Sequence, residues 1–208
     1  MQNLFAAQRL NKKNSRTPRR RRDRLALSFI ILALTLAFFF FGNTSNQLNE
    51  TKSKTAGVEP TFTSQEFAFS VQLPIPPKVQ SINLVGSNGV SAPTTIYSVK
   101  DQGKTYSITI NKLPSDFVVS NENNVLENSL SGPEKDYNAT LLSSKLGTFL
   151  GYPSIQASLQ TNDSAHRAVH QLVILKFNSN VKESFVIAAT GVSEAEFSNL
   201  INSFRFTD

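Results

Sequence analysis

The sequence predicts an α+β domain, an antiparallel sheet flanked by helices, carried behind one N-terminal transmembrane helix. Three observations predict it. Leu25 through Phe41 runs for seventeen residues without charge, proline or glycine, directly after Arg19-Arg20-Arg21-Arg22-Asp23-Arg24. From Phe62 onward, short stretches of period-two alternation recur between turn-forming residues. Two stretches, 121–130 and the residues after Ser193, carry helical spacing instead.

Twelve of the seventeen apolar residues are Leu, Ile or Phe. Each is worth roughly −0.3 to −0.6 kcal/mol at the centre of a spanning helix, roughly −6 kcal/mol together, a sum that the Ala, Ser and Thr positions erode without reversing. At about 1.5 Å per residue the run is about 26 Å long, against a hydrocarbon core of about 30 Å. Gly42 adds one position, and the Arg24 stem can snorkel over the remainder. Residues 25–42 are therefore expected to cross a bilayer.

Charge sets the expected orientation. Of the 21 basic and 15 acidic residues, nine and one lie in residues 1–24, leaving 12 and 14 beyond them. The pI near 9.7 thus belongs to the tail. Basic flanks stay in the cytoplasm, so the C-terminal domain is expected to be extracytoplasmic, on a single-pass plasma-membrane protein. A cleaved secretory signal has the same order of charge and apolarity, but this exit, Phe38-Phe39-Phe40-Phe41-Gly42-Asn43, lacks the small residues a cleavage site needs. A twin-arginine signal fits Arg21-Arg22-Asp23-Arg24-Leu25 poorly, and a chain without cysteine is not a lipoprotein. The arginine run could suggest nucleic acid, yet no aromatic residue within it can stack on bases. Anionic lipid headgroups near Arg19, Arg20, Arg21, Arg22 and Arg24 are the expected partner instead, each basic residue contributing about 1 kcal/mol at an anionic leaflet.

Residues 43–61 mix Asn, Thr, Ser, Lys and Glu with one proline, the composition of a flexible linker. As a coil its root-mean-square reach is about 25 Å. The outer domain, residues 62–208, has no disulfide and must be held by its core alone; a chain of this length suffices. Sequons at Asn43, Asn49, Asn138 and Asn162 are the chance yield of a chain rich in Asn, Ser and Thr.

Phe67, Phe69, Val71 and Leu73 alternate with Ala68, Ser70 and Gln72 until Pro74, which predicts a half-buried strand. A second strand over 79–85 leads into Ser87-Asn88-Gly89, a hairpin signal. Strands over 90–99 and 104–112 follow, joined across Asp101-Gln102-Gly103. A short helix over 121–130 places Val125, Leu126 and Leu130 on one side, and Gly132-Pro133 ends it. Further strands are expected over 139–149, 153–160, 166–177 and 183–190. The closing helix is the sharpest signal. Ser193 and Glu196 form a capping box, Val192 and Phe197 occupy the staple positions, and Phe197, Leu200, Ile201 and Phe204 line one face.

This order resembles the PsbP-like fold. The residues that carry the likeness are Phe67-Ala68-Phe69-Ser70-Val71-Gln72-Leu73-Pro74, then a meander and a helix, then Gly151-Tyr152-Pro153 opening a strand, and a final helix running into Ser203-Phe204-Arg205-Phe206. The resemblance covers about residues 62–207 and includes no catalytic signature. It implies an α/β/α sandwich with a non-enzymatic binding or assembly role. The spanning anchor separates this chain from the photosynthetic members, so neither a photosystem role nor Ran binding transfers.

Few residues of the chain carry candidate chemistry. His166 and His170 would chelate together on a helix. The surrounding run reads as a strand, where four residues separate side chains by about 13 Å, so both are expected as outward polar positions. No G-x-S-x-G, H-E-x-x-H, P-loop or G-x-G-x-x-G is present, and without cysteine neither thiol catalysis nor the common structural zinc sites arise. Asp101 and Asp116 sit where turns favour Asp for backbone reasons, and Glu134 and Asp136 read as a solvated loop. The phenylalanines fall mostly on core positions. No catalytic residue, cofactor-binding residue or metal ligand is assigned, and no cofactor is expected.

The expected function is therefore a membrane-anchored, extracytoplasmic binding or assembly module, non-catalytic, with a protein or small-molecule partner. The alternative is a hydrolase or metal-dependent enzyme whose site is assembled from scattered residues. A concave pocket gathering titratable side chains would favour the enzyme; charges scattered outside a closed apolar core would favour the module. A third reading, a signalling subunit acting through residues 1–24, needs an amphipathic period that 11–18 lacks.

Overall fold

The computed structural model describes residues 60–85, 91–114, 119, 121–131, 134, 138–178 and 182–207. The tail, the apolar run, nearly all of the linker, Ser87-Asn88-Gly89, Asp116, Gly132-Pro133 and Asp136 lie outside the described residues. In chain order the elements are β1 (Thr61–Ser64), β2 (Phe69–Gln72), β3 (Lys78–Val85), β4 (Ser91–Asp101), β5 (Lys104–Lys112), α1 (Glu122–Ser129), β6 (Ala139–Phe149), β7 (Tyr152–Thr161), β8 (Ala168–Phe177), β9 (Lys182–Thr190), α2 (Glu194–Ser203) and β10 (Arg205–Phe206).

Seven strands form one antiparallel sheet in the order β3-β4-β5-β9-β8-β7-β6, and β1-β2-β10 form a small second sheet. The fold is α+β, as expected. Its outer layers differ from a plain sandwich of helices. Helix α1 covers one face of the large sheet through Val125, Leu126 and Leu130, packed with Ile155, Leu159, Val169 and Val173. The other face is covered jointly by α2 and the small sheet, in a core of Phe69, Val71, Tyr97, Ile108, Phe185, Phe197 and Phe204. Alternation along β8 and β9 explains the split: Leu172, Ile174, Phe185 and Ile187 point to the second core, Val173, Leu175 and Val186 to the first.

The turns follow local chemistry. Gln102 (φ 47°) with Gly103 (φ 79°), and Leu150 (φ 51°) with Gly151 (φ 85°), are two-residue hairpin turns with both central residues in the left-handed region. That conformation matches the twist of the strands they join, and glycine takes it without strain. The Asp101 turn is thus a backbone feature, with Asp101 paired to Lys104 across it.

Phe67, Phe69, Val71 and Leu73 are all buried, but the strand is only Phe69–Gln72, because Ala68 turns through φ 47°. Phe204 likewise keeps its burial and loses its helix. It is the extended C-cap of α2, and its ring stacks on Phe69 at 5.3 Å and 15°. Among the described residues no helix is long and apolar enough to cross a membrane.

Candidate functional site, an open cleft beside the closing helix

Helix α2 starts as its sequence dictates. Ser193 Oγ accepts from Glu196 N at 3.3 Å, and the Glu196 carboxylate accepts from Ser193 N at 2.9 Å. Val192 and Phe197 are both buried beneath it. The helix is then tied to the small sheet, where Gln72 N donates to Ser203 Oγ at 3.0 Å and Ser203 Oγ donates to Leu200 O at 2.7 Å.

Between α2, the end of β2 and the start of β5 lies a cleft of about 580 Å³, lined by Gln72, Tyr106, Glu196, Asn199, Ser203 and Arg205 among others. Its two charged side chains are already engaged. Lys104 and the capping Ser193 hold Glu196 as a carboxylate with its pKa lowered to about 2, the lysine hydrogen bond being the larger cause. The same bond raises Lys104. Arg205 Nη1 donates to Asn202 O at 2.7 Å and Phe204 O at 2.6 Å, which fixes the guanidinium at the helix C-terminus. What the cleft offers is an open wall of amides and hydroxyls with its charges compensated. Such a wall forms hydrogen bonds; it has no histidine to shuttle a proton.

The two histidines are elsewhere and in unlike settings. Strand β8 begins at Ala168, so His166 lies before it, exposed in a turn at φ 42° with its N–H on Asp163 O. That turn is closed by Thr161 Oγ1, which donates to Asp163 Oδ1 at 2.6 Å, and by Arg167; the Thr161 bond first and Arg167 after it lower the Asp163 pKa. His170 is the correction to an outward reading. It is 7 % exposed, its Nδ1 lies 2.9 Å from Ser158 Oγ, and its ring stacks on Phe197 at 5.5 Å. The closing helix covers the sheet face to which His170 points, a face His170 shares by parity with Leu172 and Ile174.

Among the buried polar side chains that escaped the sequence reading, two matter most for charge and desolvation. Glu183 is 9 % exposed on β9, in register with Lys112 and Lys176, and burial raises its pKa against the pull of both lysines. Lys112 turns to Glu66 at 2.9 Å and lies over the Phe67 ring, while Lys176 lies over Phe206. Gln171 is fully buried among Val169, Val173 and their neighbours, with neither side-chain polar atom hydrogen-bonded. Both had a signal. Glu183 shares parity with Phe185 and Ile187, and Gln171 with Val169 and Val173, so each is a polar residue on an inward face. Among the described residues no group of three or more His, Asp or Glu is placed to hold a metal ion.

The fold and the cleft together define an α+β domain with an open polar surface cleft. Neither a family model nor a curated protein sequence matches the chain. Among solved structures, cyanobacterial PsbP from Synechocystis sp. is similar, with a TM-score of 0.44 and 13 % identity, covering 76 % of this chain and 98 % of that one. A Pseudomonas aeruginosa protein of unknown function is similar with a TM-score of 0.35 and 11 % identity, covering 68 % of this chain and 88 % of that one. The PsbP-like resemblance is thus a weak likeness of fold, and it assigns no role.

Proposed function

We propose that this chain is a single-pass, membrane-anchored module whose extracytoplasmic domain binds or assembles a partner without catalysis, and that the cleft beside α2 is its recognition surface. The observation that carries the reading is the composition of that cleft. Asn199, Asn202, Gln72 and Ser203 line it beside an arginine already committed to backbone carbonyls and a glutamate already committed to lysine. Groups of this kind position and discriminate a polar partner through hydrogen bonds. The expected tether supports it: a step from nine basic residues to an uncharged run of seventeen favours an extracytoplasmic domain.

The test is a photocrosslinking residue at Asn199 in the full anchored chain, with Lys145 on the remote strand β6 as control. A discrete adduct at Asn199, absent at Lys145 and lost when Asn202→Arg fills the cleft, is the expected result. Equal labelling at both positions, unaffected by Asn202→Arg, overturns the cleft as the recognition surface.

A further inference from the structure

We propose that residues 75–79 form a docking surface for the bilayer that carries the chain's own anchor, an inference that rests on the tethered reading above. Four large apolar residues are exposed among the described ones: Ile75 at 43 %, Val79 at 57 %, Leu142 and Leu150. The first two share a segment with Pro76 and Lys78, which are also exposed, and the segment has no acidic residue. An interfacial surface needs that mixture, with apolar side chains entering the acyl boundary and an ammonium at the level of the phosphates. Among the described residues strand β3 is the outer strand of the large sheet, with no further strand on its other side.

Position singles out this patch over the other. The carbonyl of Pro60, the first described residue, accepts a hydrogen bond from Leu73 N at 3.2 Å. The point where the domain joins its leash is therefore stitched to the chain two residues before Ile75. Leu142 and Leu150 lie on or just after β6, the opposite edge of a seven-stranded sheet, about 29 Å away at about 4.8 Å per strand. A flexible coil of seventeen residues, the length of 43–59, reaches about 20–25 Å, so on the tethered reading the edge nearer Pro60 meets the surface first. A tether also makes the contact intramolecular, so a shallow patch is enough.

The chain has no cysteine, which makes site-specific labelling clean. Full-length protein carrying Val79→Cys or Leu150→Cys is labelled with a fluorophore and reconstituted in vesicles of phosphatidylcholine and phosphatidylglycerol. The expected result is several-fold weaker quenching by an aqueous quencher at Val79→Cys than at Leu150→Cys. Ile75→Asp added to Val79→Cys should abolish the protection while circular dichroism stays unchanged. Equal quenching at both sites, or protection that survives Ile75→Asp, overturns the docking and leaves the tether standing. Failure of the chain to float with the vesicles overturns the tether and the docking together. Protection that appears only when a second protein is added overturns lipid as the occupant.

Discussion

Single side chains decide more of this domain's stability than their chemistry suggests at first reading. His170 is packed between Ser158 and Phe197, so His170→Ala should destabilise the domain by about 1–3 kcal/mol, while His166→Ala at its exposed turn should stay within about 0.5 kcal/mol. Urea titration of both variants distinguishes them, and equal midpoints would show that the stack contributes nothing. Gln171 makes the opposite case. Two buried polar atoms without partners each carry a desolvation cost of about 1–3 kcal/mol, so Gln171→Leu should raise the urea midpoint; a fall would mean that the amide is satisfied in solution. Glu183 has a sign that pH can read. Its folded pKa is raised by burial above the ordinary 4.5. The stability it contributes is therefore complete below that ordinary value and lost as pH rises through the folded one. Glu183→Gln should accordingly be more stable than the parent at neutral pH and equal to it in acid. A constant difference across that range would refute the burial argument.

The closing helix is the element on which the cleft, the second core and the small sheet all depend. Ser193→Ala removes the cap and should cost about 0.5–2 kcal/mol. Phe197→Ala or Phe204→Ala empties a fully buried site and should cost about 3–5 kcal/mol. Thermal unfolding orders the three, and a Ser193→Ala loss exceeding either Phe loss would misplace the core face. The capping box also has an acid signature. With Glu196 lowered from 4.5 to about 2, its contribution is present above the ordinary value and lost as pH falls through about 2. Glu196→Gln should flatten that part of the acid unfolding curve, and an unchanged curve would show that the Glu196 carboxylate contributes no stability.

For the molecule as a whole, the proposed tether would govern what the cleft can meet. Protease added to intact cells or spheroplasts with the outer membrane face accessible should degrade residues 62–208 before lysis, because nine basic residues precede the apolar run. Protection until the membrane is opened would invert the topology. It would place the cleft and residues 75–79 on the cytoplasmic side.

Sequence by itself determined the elements whose causes are local. The period of Tyr106, Ile108 and Ile110, the Gln102-Gly103 turn and the Ser193–Glu196 box each specify their own geometry within a few residues, and the structure places strand, turn and helix there. Strands β1 and β10 were not legible, because four and two residues are too few to show a period. Both exist through pairing with β2, β1 across a short connection and β10 from more than a hundred residues further along the chain. The same non-locality hid the cleft, whose walls come from β2, β5 and α2, whereas His170 shares its inward parity with Leu172 and Ile174 and only the identity of its cover, a helix that starts more than twenty residues later, was non-local. Local chemistry decides which backbone a segment adopts, but what covers a face, and so which polar side chains become buried or gather around a cleft, is settled only when distant segments pack together.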